Sequence, residues 1–179
     1  MRSHVAMLAT LAGLLLPPAV EWTHAEETEQ QAVAAIKGMG GRIFRDENKP
    51  GKPVQYASLT GCNIADADLA HLKSLKTLEC VSLDDTQISN TGLVHLKSQT
   101  QLRILYLQGT NVGNAGLAHL KGLKRLRVLN LNGTKVSDAG LAHLKGMKNL
   151  WRLKLFRTEV TDAGVKKLQK ALPELYIIR

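Results

Sequence analysis

LRVLNLNGTKVSDAGLAHLKGMKN, residues Leu126–Asn149, follows without a gap on LRILYLQGTNVGNAGLAHLKGLKR, residues Leu102–Arg125. Further copies of this 24-residue unit begin at Val54, Leu78 and Leu150, and no insertion or deletion separates the five starts. Self-similarity at a fixed period of this size, with the core L-x-x-L-x-L, means stacked units that bury their apolar sides against one another. Within one unit Leu126, Leu129 and Leu131 point inward from a strand, Gly133-Thr134 turns the chain, and Val136 closes the turn. The return path reads as helical: Ser137-Asp138 supplies an N-cap and a first-turn acid, and Leu141, Leu144 and Met147 form an inward stripe at i, i+3, i+6. Gly122 and Gly146 stand where that helix must stop. Parallel strands are expected near 54–59, 78–83, 102–107, 126–131 and 150–155.

A threonine recurs at the ninth position (Thr86, Thr110, Thr134, Thr158), where the first unit has Cys62. Burying a hydroxyl without a partner costs on the order of 1–3 kcal/mol, so a repeated buried threonine implies a repeated backbone partner under the turn.

The flanks close the stack. Residues 26–39 read as a helix, with acids at its start, the apolar pair Val33 and Ile36, and Gly40-Gly41 at its end. Arg42–Arg45 alternates like a short strand, and residues 46–53 form a loop rich in charge, proline and glycine. At the other end Val165-Lys166-Lys167-Leu168 replaces Leu-Ala-His-Leu, and Tyr176-Ile177-Ile178 begins a last strand. The expected organisation is a leader over 1–25, an N-terminal helical cap and loop over 26–53, five repeats over 54–173 and a C-terminal cap strand over 174–179.

The leader has the parts of a secretory signal peptide: Arg2, the apolar run Val5–Leu16, and Thr23-His24-Ala25 as a cleavage site near Ala25. An uncleaved anchor or a disordered tail is the alternative, but Pro17-Pro18 breaks the apolar run and its length is short for a membrane span. The expectation is an exported protein, periplasmic, cell-surface or secreted, with no transmembrane segment in its mature chain. Removing residues 1–25 takes away Arg2 and Glu21 together, so the +9 charge of the full chain is kept. Cys62 and Cys80 are offset by six strand positions, roughly 20 Å at ~3.3 Å per residue, which is beyond the reach of a disulfide.

The segments Val160-Thr161-Asp162-Ala163-Gly164 and Val136-Ser137-Asp138-Ala139-Gly140, with Asn90 and Asn114 in place of Asp in two other units, carry a resemblance to a known family. The chain resembles exported bacterial leucine-rich repeat proteins built on T-x-V-[ST]-D-A-G-L-x-x-L. It is also similar to the cysteine-containing, ribonuclease-inhibitor-like class of repeats. The resemblance covers about residues 26–179 and implies an α/β fold: a right-handed solenoid with a parallel concave sheet, short convex helices and a cap at each end. It implies protein–protein interaction. F-box substrate receptors carry similar repeats with cysteine at the threonine position, so a role in ubiquitin ligation is the last-ranked reading.

Candidate chemistry is sparse. His71, His95, His119 and His143 recur on the helical face, but a linear column does not converge on one ion. No metal or other cofactor is expected. Ser82 and Asp84 share the sheet face without a histidine, so an enzyme would lack its base. Lys73, Lys97, Lys121 and Lys145, with Lys76, Lys124, Arg125 and Lys148, make a basic stripe on the convex side. The stripe is either a solvated helix face or a footprint for an anionic polymer such as a polysaccharide or nucleic acid.

The third, fifth and seventh slots vary while the frame does not. From them the candidate binding residues are Asp84, Tyr106, Gln108, Asn130, Asn132, Arg152, Lys154 and Phe156, with Trp151 beside them. The expected function is a non-catalytic, monomeric scaffold that binds an unidentified protein through its concave strands. The alternatives are an anionic polymer on the convex face and a structural envelope component.

Overall fold

The computed structural model describes residues 27–179, so the expected leader over 1–25 lies outside the described residues. Helix α1 (Glu29–Gly38) opens with a capping box, in which the Gln31 amide donates to Thr28 Oγ1 (3.2 Å) and the Thr28 amide donates to Gln31 Oε1 (2.9 Å). Its buried Ala32 and Ile36 lie on the core.

Seven strands follow: β1 (Arg42–Arg45), β2 (Val54–Ser58), β3 (Cys80–Ser82), β4 (Ile104–Tyr106), β5 (Val128–Asn130), β6 (Arg152–Lys154) and β7 (Tyr176–Ile178). They form one sheet in sequence order, β1 antiparallel to β2 and every later pair parallel. The register repeats the sequence period: Tyr56, Cys80, Ile104, Val128, Arg152 and Tyr176 stand side by side.

The strands are shorter than the six residues expected: β2 has five residues and β3–β7 have three each. Hydrogen bonding runs on past the strand ends: the amides of Leu83, Leu107 and Leu131 donate to the carbonyls of Tyr106, Asn130 and Lys154 at 2.9–3.0 Å. Leu126, Leu129 and Leu131 are fully buried, and their equivalents in the other repeats are buried. The ninth-position hydroxyls of Thr86, Thr110, Thr134 and Thr158 each donate to the carbonyl three residues earlier, at 2.6–2.7 Å.

The return arcs depart from the expected helices. The first two are 3₁₀ segments, Asp66–Ser74 and Gly92–Leu96. In the next two a single α turn, α2 (Asn114–Leu117) or α3 (Asp138–Leu141), passes into 3₁₀ at Ala118–Leu120 or Ala142–Leu144. Of the return arcs only the last, α4 (Asp162–Ala171), is α-helical throughout. The reason is in the spacing: a stripe at i, i+3, i+6 has the three-residue period of a 3₁₀-helix, and all three of its side chains stay on one line there.

Ser137 occupies the N-cap position of α3 but makes no capping bond with its side chain. A side chain of the previous repeat instead takes up the amide of Ser137 itself. Asp66, Asn90, Asn114 and Asp138 each accept from the backbone amide 23 residues ahead, at Ser89 (2.8 Å), Gly113 (2.7 Å), Ser137 (2.9 Å) and Thr161 (2.8 Å). A Cβ built on Gly92, Gly116 or Gly140 would lie only 2.5–2.7 Å from the acceptor oxygen of Asp66, Asn90 or Asn114. Gly164 stands against Asp138 in the same way. The Asp/Asn-Ala-Gly motif is thus a joint between repeats: the acid or amide reaches forward, and the glycine of the next repeat leaves room for it.

Candidate functional site

The exposed face of the sheet carries three rows of side chains, one from each variable slot. The first row is apolar and aromatic: Phe44 stacks on Tyr56 (ring centroids 5.0 Å apart), and Cys80, Ile104 and Val128 continue it. Arg152 and Tyr176 end it. A cleft of about 440 Å³ runs along this row, bordered by Glu79, Arg103, Arg127 and Trp151. The second row holds Ser58, Ser82, Tyr106, Asn130 and Lys154. The third, just beyond the strands, holds Thr60, Asp84, Gln108, Asn132 and Phe156.

The sequence-derived candidates divide by what their side chains do. Asp84 Oδ1 accepts from the Gln108 amide (2.7 Å), and Asn132 Oδ1 accepts from the Phe156 amide (2.8 Å), so both carry the sheet edge forward to the next repeat. Asn130 is buried; its oxygen accepts from the Asn132 amide (3.2 Å) and its Nδ2 donates to Gln108 Oε1 (3.4 Å). Tyr106, Arg152 and Lys154 are half-buried on the face, and Phe156 is exposed beyond it. Arg152 stacks over the Trp151 ring at 4.5 Å and Arg157 over the Phe156 ring at 5.3 Å.

Sequence reasoning left out Phe44 and Tyr176. The signal for Tyr176 was its place 24 residues beyond Arg152, and the leucine at 175 instead of 174 made that unbroken register look shifted by one residue. With Trp151 and Phe156 they account for four of the five large apolar side chains that stand exposed among the described residues; the fifth, Val94, is on the other side.

Burial pushes the Cys80 thiol up to about 11, and the charge of Asp84 adds to the effect, so this group is a neutral part of the floor. Burial also raises the Asp84 carboxyl, against the pull of the Gln108 amide. Cys62 and Cys80 are both unbridged. Ser82 is buried, its hydroxyl 2.6 Å from that of Thr60.

On the convex side, Glu27 carboxylate meets His71 Nδ1 at 2.6 Å. Burial, then the nearby lysines Lys73 and Lys97, lower the pKa of His95 and His119 respectively. Lys73, Lys76 and Lys97 line a second cleft of about 540 Å³ there. Among the described residues no three His, Cys, Asp or Glu side chains are grouped so as to hold a metal ion. No helix among them is long and apolar enough to cross a membrane.

A family model described as leucine-rich repeat matches residues 124–144. The fold is a leucine-rich repeat solenoid. The chain is similar to the leucine-rich repeat ectodomain of the receptor kinase SOBIR1 from Arabidopsis thaliana, with 18% identity over 84% of this chain and 90% of that one, at a TM-score of 0.56. It is also similar to a leucine-rich repeat protein of Leptospira interrogans, at 21% identity over 62% of this chain and 33% of that one, TM-score 0.45. An internalin of Listeria monocytogenes aligns at 18% identity over 69% of this chain and 47% of that one, TM-score 0.40. No curated protein matches the sequence. At these identities the likeness concerns the leucine-rich repeat fold alone.

Proposed function

We propose that this leucine-rich repeat chain is an exported, non-catalytic scaffold that binds another protein on its sheet face, toward the β4–β7 end. The observation that carries the reading is the set of exposed aromatics there: Trp151, Phe156 and Tyr176 are 45%, 52% and 60% exposed, two of them under guanidinium groups. Exposed aromatics beside arginine are costly to keep in water and are the residue types that dominate protein-binding hot spots. Arg157 supports it further. It sits at φ +54°, in a slot that holds Gly61, Gly109 and Gly133 in three repeats and Asp85 at φ +56° in another, and strain of this kind is retained where a side chain must be aimed.

The test is a partner captured from the exported fraction and titrated against variants. Phe156→Ala or Arg152→Ala should each cost more than about 1 kcal/mol of affinity. Lys121→Glu with Lys145→Glu, on the convex face, should leave it unchanged. The second reading, an anionic polymer on the convex side, is favoured by the lysine-lined cleft around Lys73, Lys76 and Lys97. It predicts the reverse pattern, with affinity falling steeply as salt rises. The leader over 1–25 and the two caps belong to the same proposal; mass measurement of the exported chain reads the cleavage site directly.

A further inference from the structure

The first row of the sheet face is apolar along β2–β5 and reaches Arg152 at β6, with Arg103 and Arg127 on the cleft border and Lys154 in the second row. Arg103 is paired with Glu79 at 3.4 Å. Arg127, Arg152 and Lys154 have no carboxylate within ion-pair distance among the described residues. Arg152 is held more tightly than a surface arginine: its guanidinium lies on Trp151, and its Nε is buried without a hydrogen-bond partner. A buried donor left unsatisfied is costly, and the Arg152 guanidinium is the group still free to meet an acceptor.

Building on the sheet-face reading above, we propose that the cleft takes an extended peptide segment in which an aliphatic or aromatic side chain is followed or preceded, within a few residues, by acidic side chains. The apolar residue lies over Cys80, Ile104 and Val128, and the carboxylates meet Arg127 and Arg152. The dimensions fit. Three strand steps from Cys80 to Arg152 are about 14 Å, which an extended chain covers in about four residues. The arrangement of charges also selects against a polymer of repeating anions. Such a polymer would find an acid, Glu79, at one end of the cleft and nothing to place on the apolar floor. Bidentate guanidinium–carboxylate pairing, by contrast, uses an arginine fixed in one plane, as stacking on Trp151 fixes Arg152.

A random heptapeptide library panned on the full chain tests this. Recovered peptides should combine Asp or Glu with a nearby Leu, Ile or Phe, and the best one, made synthetically, should bind about tenfold more weakly or worse to Arg127→Gln/Arg152→Gln. Ile104→Glu should abolish binding. Arg127 is exposed, so Arg127→Gln decides the matter alone if Arg152→Gln melts early. Neutral peptides whose binding is lost in Ile104→Glu or Phe156→Ala would refute the acidic segment and leave the sheet-face reading standing. Acidic peptides indifferent to both arginine changes would refute it as well. No recovered peptide refutes the peptide cleft and leaves the sheet-face reading to the partner titration, whereas both readings fall if binding fails only in Lys121→Glu/Lys145→Glu.

Discussion

Asn90→Ala tests the joint between repeats most directly. The Asn90 oxygen accepts from two amides of the next repeat, Gly113 at 2.7 Å and Gly116 at 3.0 Å. Gly116 keeps a second acceptor, the Gly113 carbonyl at 3.1 Å, whereas the Gly113 amide has no other. Both glycines are buried. Stranding one buried amide costs about 1–3 kcal/mol and weakening the other about 0.5, so a loss of about 2–3 kcal/mol is expected. In urea, at a typical slope of about 1–3 kcal/mol per molar, this lowers the midpoint by about 1 M with the slope unchanged. Asn90→Asp keeps the acceptor and repeats what Asp66 and Asp138 already do, so at neutral pH it should stay within about 0.5 kcal/mol of the parent chain. The assay is urea unfolding followed by circular dichroism. If Asn90→Ala is neutral, or if Asn90→Asp is as damaging, the forward-reaching side chain is not what joins the repeats.

Leu129→Ala, at the fully buried centre of β5, should cost about 2–5 kcal/mol, and an unperturbed thermal melt would contradict the packing described. Acid should loosen the stack at the joints. Burial pushes the Asp66 carboxyl up, but the hydroxyl and amide of Ser89, the Thr91 hydroxyl and the Gly92 amide outweigh it. The Thr161 hydroxyl, then its amide, hold Asp138 low. Folded values below the unfolded one, near 4, mean that this stability is present above about pH 4 and lost as pH falls through the folded values. Asp84, raised, has the opposite sign: its contribution is present at low pH and lost as pH rises through its folded value. Asp66→Asn/Asp138→Asn should therefore flatten the acid limb of a melting-temperature profile, and an unchanged limb would refute the assignment. Arg157→Gly relieves a left-handed residue and should stabilise the fold by about 1 kcal/mol while weakening sheet-face binding; a drop in melting temperature would show that no strain is held there.

The solenoid was legible because its cause is local and repeated. Leu126, Leu129 and Leu131 recur in kind five times, and one register satisfies all of them. The threonine column was legible for the same reason, since its acceptor lies three residues away in the same turn. What escaped were interactions with the neighbouring copy. Asp138 read as a first-turn acid for its own helix, yet its oxygens serve Thr161, 23 residues on. Asp84 and Asn132 read as free side chains of a binding face because alternation assigns direction and not partners. Tyr176 was missed because Leu175 stands one residue late and hides an unbroken 24-residue register, which the pairing of Arg152 with Tyr176 restores.

The forward-reaching Asp or Asn and the waiting glycine recur at every junction, while the outward slots of the sheet differ at each one. Length and surface are therefore inherited separately. Duplicating or deleting one 24-residue unit at the boundary between Arg125 and Leu126 would again set an Asp or Asn against a glycine. A lineage of such chains can lengthen, shorten or shuffle its modules by unequal recombination without inventing a new junction, and each rearrangement redraws the recognition surface as a whole.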